Sequence, residues 1–103
     1  EPLEAFKRLR DQNAFISLSH PYAPMRHGWT EAEMEEFLPW LDAIEIANAR
    51  NIPEMNRSAI DFAAAHGLCG TAGSDAHGLR ELGAMGLSLL LFPKSSICES
   101  CLP

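Results

Sequence analysis

The chain has 103 residues, of which 47% are hydrophobic, and its formal net charge at neutral pH is −6. This length allows one modest domain and excludes a complete closed α/β barrel, which takes about 200 residues or more. The eight basic residues are scattered, so we expect neither a nucleic-acid groove nor an anionic membrane surface. Because the sequence contains neither a transmembrane-length apolar run nor a signal peptide, we expect a cytoplasmic protein.

The first third of the chain is predicted to form a helix, a strand and a loop. Residues 3–11 have apolar side chains at helical spacing, and residues 14–19 are typical of a buried strand. This strand should end at His20-Pro21, because proline cannot donate a ladder hydrogen bond. The following loop, residues 22–29, carries Arg26.

The middle of the chain is predicted to form a helix and a second strand. Thr30 and Glu33 have the spacing of a capping box at a helix start, and Pro39 should stop that helix. In the second strand, residues 43–47, alternation places Glu45 on the opposite face from its isoleucine neighbours.

The last part is predicted to contain a long helix between Pro53 and Gly67, then strands at residues 68–72 and 86–92. Strands that alternate with helices favour an α/β fold with a parallel sheet and right-handed crossovers. Residues 94–103 have the composition of a loose tail. The tail includes Cys98 and Cys101, which we interpret as reduced thiols rather than as a zinc or redox site.

Candidate ligands follow the third predicted strand, in the stretch Gly73-Ser74-Asp75-Ala76-His77. A carboxylate beside an imidazole suits Zn, Mn or Fe. Asp75 and His77 point to the same side only if the backbone stays extended. The alternative is a polar turn in which the aspartate caps the next helix.

The other two strands also end in groups that can bind a metal or a substrate. The first ends at His20, and the second carries Glu45 with Asn48 and Arg50 just beyond it. Parallel neighbours bring these ends to one rim, where function gathers in α/β folds. For His20 the alternative is a structural histidine before proline. For Glu45 the alternative is exposure on a sheet edge, because a buried carboxylate needs a partner.

Together these stretches resemble the PHP superfamily, the polymerase and histidinol phosphatase-type metallohydrolases. The resemblance spans about residues 14–92 and is carried by four segments: 19–22 (SHPY), 44–51 (IEIANARN), 71–77 (TAGSDAH) and 81–83 (ELG). It implies that residues 1–93 form the C-terminal part of a distorted (β/α)7, TIM-like barrel. It also implies hydrolysis of a small phosphorylated substrate with up to three Zn, Mn or Fe ions.

The resemblance also assigns expected roles to individual residues. It implies that His20, Asp75 and His77 are metal ligands and that Glu45 lies near the metals or faces the substrate, and we group Asn48 with Glu45. The loop arginines Arg26 and Arg50 could hold phosphate bidentately; the alternative for both is a solvated loop position.

The chain lacks the His-x-His strand and the further ligands with which the family begins. Two hypotheses follow from this departure. In the first, the chain is the C-terminal part of a longer metal-dependent phosphoesterase and has no complete site by itself. In the second, it is a non-catalytic partial barrel with a structural or interaction role. In both cases we expect the open sheet edges to be covered, by an N-terminal half or by an oligomer partner.

Overall fold

The computed structural model describes residues 1–83, which form an α/β structure. In chain order the elements are α1 (Pro2–Asp11), β1 (Ser17–Leu18), a 3-10 helix (Pro24–Arg26), α2 (Glu31–Phe37), a 3-10 helix (Leu38–Trp40), β2 (Ala43–Asn48), α3 (Pro53–His66), β3 (Cys69–Gly73) and a 3-10 helix (Leu79–Glu81). The predicted alternation of helices and strands is confirmed for these residues. The predictions for the strand at 86–92, the tail, and Cys98 and Cys101 lie outside the described residues.

The three strands form one parallel sheet in the order β1-β2-β3. Ser17 is paired with Ala43 across the first two strands, and the register of β2 against β3 shifts between Glu45 and Ala47. The parallel α/β arrangement is therefore confirmed. Within residues 1–83 the strands form an open three-stranded sheet, so the TIM-like barrel stays a prediction.

The helices pack on one face of the sheet, where a single buried cluster joins them to the strands. The strands contribute Leu18, Ile44 and Ile46 to this cluster, and the helices contribute the buried side chains Phe6, Met34, Phe37, Ala59, Phe62 and Ala63. Because side chains alternate along a strand, Ser17, Glu45 and Thr71 project from the opposite face. The hydroxyl oxygens of Ser17 and Thr71 lie 2.9 Å apart there. This second face of the sheet therefore carries the polar side chains of the three strands.

A side-chain cluster fixes the entry into β2 and explains why β1 is shorter than predicted. Asp42 accepts a 2.8 Å hydrogen bond from the Ile16 N–H, and Arg10 forms a 3.1 Å ion pair with Asp42 and a 2.6 Å bond to the Trp40 carbonyl. The Ile16 carbonyl accepts from both Asp42 and Ala43. The first part of the predicted strand is thus held by an aspartate side chain and a turn, and ladder pairing is limited to Ser17–Leu18.

The predicted helix ends are borne out for α2. Thr30 Oγ1 accepts from the Glu33 N–H at 3.2 Å, and the Glu33 carboxylate accepts from the Thr30 N–H at 2.8 Å. These bonds complete the capping box, and the backbone bond to Thr30 is the main reason that the pKa of Glu33 is lowered. The helix ends at Phe37, and Pro39 lies in the 3-10 turn that follows.

The long helix α3 connects the carboxyl end of β2 to the start of β3. Pro53 is its first residue, as predicted, and Gly67 ends it with φ +65°, a left-handed conformation that favours a residue without Cβ. Within residues 1–83 no helix is both long and apolar enough to cross a membrane.

Candidate functional site

The loop after β1 brings His20 to the carboxyl end of β2. The His20 N–H donates a 2.7 Å hydrogen bond to Glu45 Oε2, and His20 itself has φ +30°. The imidazole Nδ1 is buried and has no hydrogen-bond partner within residues 1–83. A buried nitrogen without a partner costs free energy. Nδ1 therefore offers a binding position for a group that residues 1–83 do not supply.

Glu45 connects two of the strand ends. Besides the His20 N–H, Glu45 Oε2 accepts a 2.9 Å hydrogen bond from Asn48 Nδ2. A Cβ atom at position 73 would lie 2.9 Å from Glu45 Oε1, so the carboxylate lies where a side chain at residue 73 would be. Gly73 thus allows Glu45 to reach the rim, which is the structural reason for a glycine at the end of β3.

Asp75 follows β3 in a left-handed turn. Its φ is +51°, so the backbone is not extended here. The condition under which Asp75 and His77 would share a strand face is therefore not met. The Asp75 carboxylate is 19% exposed and forms an ion pair through Oδ2 with Arg26 Nη1. The same oxygen accepts a 3.3 Å hydrogen bond from Asn48 Nδ2. Asn48 thus links Asp75 to Glu45.

Two asparagines that we did not single out in the sequence complete a closed set of contacts. Arg26 Nη2 donates to Asn51 Oδ1, and Asn51 Nδ2 donates to Asn56 Oδ1 at 3.1 Å. Asn56, in the first turns of α3, accepts from the Asn48 N–H at 3.1 Å and donates to the Asn48 carbonyl at 3.3 Å. We call Arg26, Asn48, Asn51, Asn56 and Asp75 the polar ring. Asn48 is 1% exposed, so the polar ring includes a buried amide.

His77 and Arg50 form a second, more exposed group beside the polar ring. His77 Nδ1 lies 2.7 Å from the Asp75 carbonyl oxygen and 2.6 Å from Arg50 Nη1. These two contacts demand opposite protonation of Nδ1, because a carbonyl needs a donor and a guanidinium needs an acceptor. When Nδ1 donates to the carbonyl, Nε2 keeps its lone pair and can bind a metal.

Glu81 holds the backbone of this second group. Its carboxylate accepts a 2.7 Å hydrogen bond from the His77 N–H and lies 3.6 Å from Arg50 Nη1. The backbone bond to His77 is the main cause of a lowered pKa for Glu81, and the charge of Arg50 acts in the same direction. Arg26 therefore contacts Asp75 and Arg50 contacts His77, and each guanidinium is already paired with a carboxylate.

The residues predicted to bind metal are thus brought to one rim but do not form a metal site by themselves. Among residues 1–83, no three His, Cys, Asp or Glu side chains are placed so that they could hold an ion together. Some of the donor atoms that a metal site needs are present. His20 has a buried nitrogen without a hydrogen-bond partner in residues 1–83, and Asp75 offers a carboxylate. Any metal bound here needs ligands from outside the described residues.

One comparison with known protein families matches the second half of the described residues. The sequence model of a family described as PHP-associated matches residues 53–86. The chain contains a PHP-associated region. This region covers α3, β3 and the turn that carries Asp75 and His77, and it includes Asn56 of the polar ring. The resemblance to the PHP superfamily is therefore confirmed at the level of this region.

A curated relative extends the similarity beyond the PHP-associated region. The uncharacterized protein MJ0417 of Methanocaldococcus jannaschii is 34% identical over 85 residues, which cover 78% of this chain and 36% of the relative. The chain thus spans about a third of the length of that relative. No solved structure matches the chain.

A cleft of about 300 Å³ lies between α2 and α3. Its lining includes Tyr22, Glu31, Asp61 and His66. Burial, together with a 3.1 Å hydrogen bond to Glu31 and the negative charges of Glu31 and Asp61, raises the pKa of Tyr22 to about 12. None of the residues predicted for the site lines this cleft, so we do not assign the site to it.

Proposed function

We propose that the full-length protein is a metal-dependent phosphoesterase and that this chain supplies the C-terminal part of its site. One observation carries the proposal. His20 and Asp75 follow the carboxyl ends of β1 and β3, and both are linked by hydrogen bonds to Glu45 of the strand between them, His20 directly and Asp75 through Asn48. Such a rim is where α/β proteins bind their substrates, and the PHP-associated region covers its last strand.

In this proposal His20, Asp75 and His77 are metal ligands. His20 would bind through its buried Nδ1, and His77 would bind through Nε2 while Nδ1 donates to the Asp75 carbonyl. Residues outside 1–83 would complete the ligand set. When bound, divalent ions would lower the pKa of a water molecule to provide a nucleophile and would neutralise the phosphate oxygens.

The remaining rim residues would orient these ligands and the substrate. Glu45 and Asn48 fix the His20 backbone and the Asp75 carboxylate through their hydrogen bonds. Arg50 lies beside His77 and is 40% exposed, so its guanidinium can turn toward a phosphate group and bind two of its oxygens. Arg26 would contribute a second positive charge after it leaves Asp75.

The test is hydrolysis of p-nitrophenyl phosphate and of a nucleoside monophosphate by the full-length protein, with Mn²⁺ or Zn²⁺ and after chelation. We expect turnover only with metal, reduced by about a hundredfold or more in His77→Ala because a ligand is lost. The control His66→Ala removes a histidine at the far end of α3, about 15 Å from its first turn. Turnover that survives chelation, or an equal loss in both variants, would contradict the proposal.

The alternative function is a non-catalytic partial barrel. The observation in its favour is that Arg26 pairs with Asp75, so the carboxylate is satisfied without a metal. This alternative predicts a stably folded full-length protein that carries almost no metal after purification in Mn²⁺ and Zn²⁺. Bound metal in stoichiometric amount would exclude it.

A further inference from the structure

The ion pair between Arg26 and Asp75 lies where the proposed function requires a metal ion. Arg26 Nη1 contacts Asp75 Oδ2, and Arg26 Nη2 is held by Asn51 Oδ1. The side chains are 26% and 19% exposed, so water screens this pair less than an ion pair on the open surface. An arginine is positively charged at every physiological pH. The Asp75 carboxylate is therefore neutralised by the chain itself.

The contacts of Asp75 show which of its two carboxylate oxygens is engaged. Oδ2 receives both Arg26 and the amide of Asn48, whereas Oδ1 lies 3.8 Å from His77 Nδ1. A divalent ion bound to this carboxylate would stand close to the guanidinium, and the two positive charges would repel each other. Arg26 and a metal ion are thus competing partners of Asp75.

Arg26 differs from the second rim arginine in this respect. Arg50 contacts His77 and Glu81 and has no ion pair with Asp75 within residues 1–83. Arg26 ends a short 3-10 helix, and the next residue, His27, is in a left-handed conformation with φ +57°. This short loop segment, rather than a long helix, carries the guanidinium, so its side chain can leave the rim without moving the sheet or α3.

We propose that Arg26 is an internal counter-ion of Asp75 whose positive charge competes with a metal ion for this carboxylate. This inference rests on the proposed function, because it takes Asp75 as a ligand. It adds that Arg26 weakens metal binding in the resting protein. Asn51 acts with it by holding the second nitrogen of the guanidinium in place.

The test is the affinity of the metal-free full-length protein for Mn²⁺, measured by isothermal titration calorimetry. We expect Arg26→Gln to bind Mn²⁺ about tenfold more tightly than the unaltered protein, because the variant lacks the positive charge that repels the ion. The control Arg57→Gln removes the same charge from an exposed position on α3 and should change the affinity by less than about twofold. Arg26→Lys retains the charge but not the fork geometry, and should give an intermediate gain.

A second background separates competition at Asp75 from a general effect of charge. In Asp75→Asn the negative charge that pairs with Arg26 is lost, so adding Arg26→Gln should give no further gain in Mn²⁺ affinity. A gain that persists in Asp75→Asn, or equal affinities for Arg26→Gln and Arg57→Gln, overturns the inference and leaves the proposed function standing. Absence of Mn²⁺ binding in every variant overturns both.

Discussion

Asn56 is expected to determine the stability of the rim, although it is not one of the proposed ligands. Its carboxamide makes two hydrogen bonds with the backbone of Asn48, at 3.1 and 3.3 Å, and accepts a third from Asn51 at 3.1 Å. In Asn56→Ala all three bonds are lost. Asn48 is buried, so water cannot readily replace the two backbone bonds.

The expected loss in the free energy of unfolding follows from these three hydrogen bonds. Each intramolecular hydrogen bond contributes about 1 kcal/mol net, which gives about 3 kcal/mol for the set. Alanine is the better helix former, and its gain of about 0.6 kcal/mol in α3 offsets part of the loss. We therefore expect Asn56→Ala to lower the free energy of unfolding by about 2 kcal/mol, or the urea midpoint by about 1 M.

The assay is urea unfolding of the full-length protein, followed by circular dichroism and by tryptophan fluorescence. Arg57→Ala is the matched control, because it changes the next, exposed position of the same helix. Asn56→Asp keeps the side-chain volume but turns a carboxylate oxygen toward the Asn48 carbonyl, so it should also destabilise the protein. Asn56→Ala within about 0.5 kcal/mol of Arg57→Ala, the range of ordinary surface substitutions, would refute the reasoning.

Two further substitutions test other parts of the structure. The pKa of Asp42 is lowered from its ordinary value of 3.8, mainly by the hydrogen bond from the Ile16 N–H. The ionised Asp42 carboxylate therefore stabilises the fold above that pH, and this stabilisation is lost as the pH falls through the lower pKa of the folded state. Urea midpoints at pH 6 and pH 2.5 should therefore differ less in Asp42→Asn than in the unaltered protein, and equal differences would refute this. In Gly73→Ala the added Cβ lies 2.9 Å from Glu45 Oε1, so the carboxylate must move and the His20 amide should exchange its hydrogen faster. Gly78→Ala, whose nearest contact is 4.0 Å, should leave that exchange unchanged, and equal rates in the two variants would count against the proposed geometry.

The parts of the fold that were predictable from the sequence are those encoded by local patterns. Apolar runs separated by helical segments predicted the parallel strands, and Thr30 with Glu33 predicted the start of α2, because a capping box involves residues only three positions apart. The full length of β1 was not predictable in the same way. It depends on Asp42, which lies 26 residues away and takes the Ile16 N–H.

The candidate site was predictable only at the level of which residues reach the rim. Parallel topology alone predicted that His20 and Asp75, which follow β1 and β3, lie at the same end of the sheet as the end of β2. The role of Asn56 was not predictable, because it depends on how the first turns of α3 approach the end of β2. The only local feature of the sequence that could have indicated this role is an amide side chain in the first turns of a helix that follows a strand. The left-handed turn at Asp75 is not specified by the five-residue motif, because aspartate adopts both extended and left-handed backbone conformations.

The central claim is that Asp75 is a metal ligand of a phosphoesterase site that this chain helps to build. The most direct measurement is the metal content of the full-length protein, by mass spectrometry after loading with Mn²⁺ or Zn²⁺, in parallel with its turnover of a phosphomonoester. Asp75→Ala should bind at least one ion fewer per chain and lose turnover by about a hundredfold or more. Unchanged metal content together with unchanged turnover in Asp75→Ala would contradict the claim.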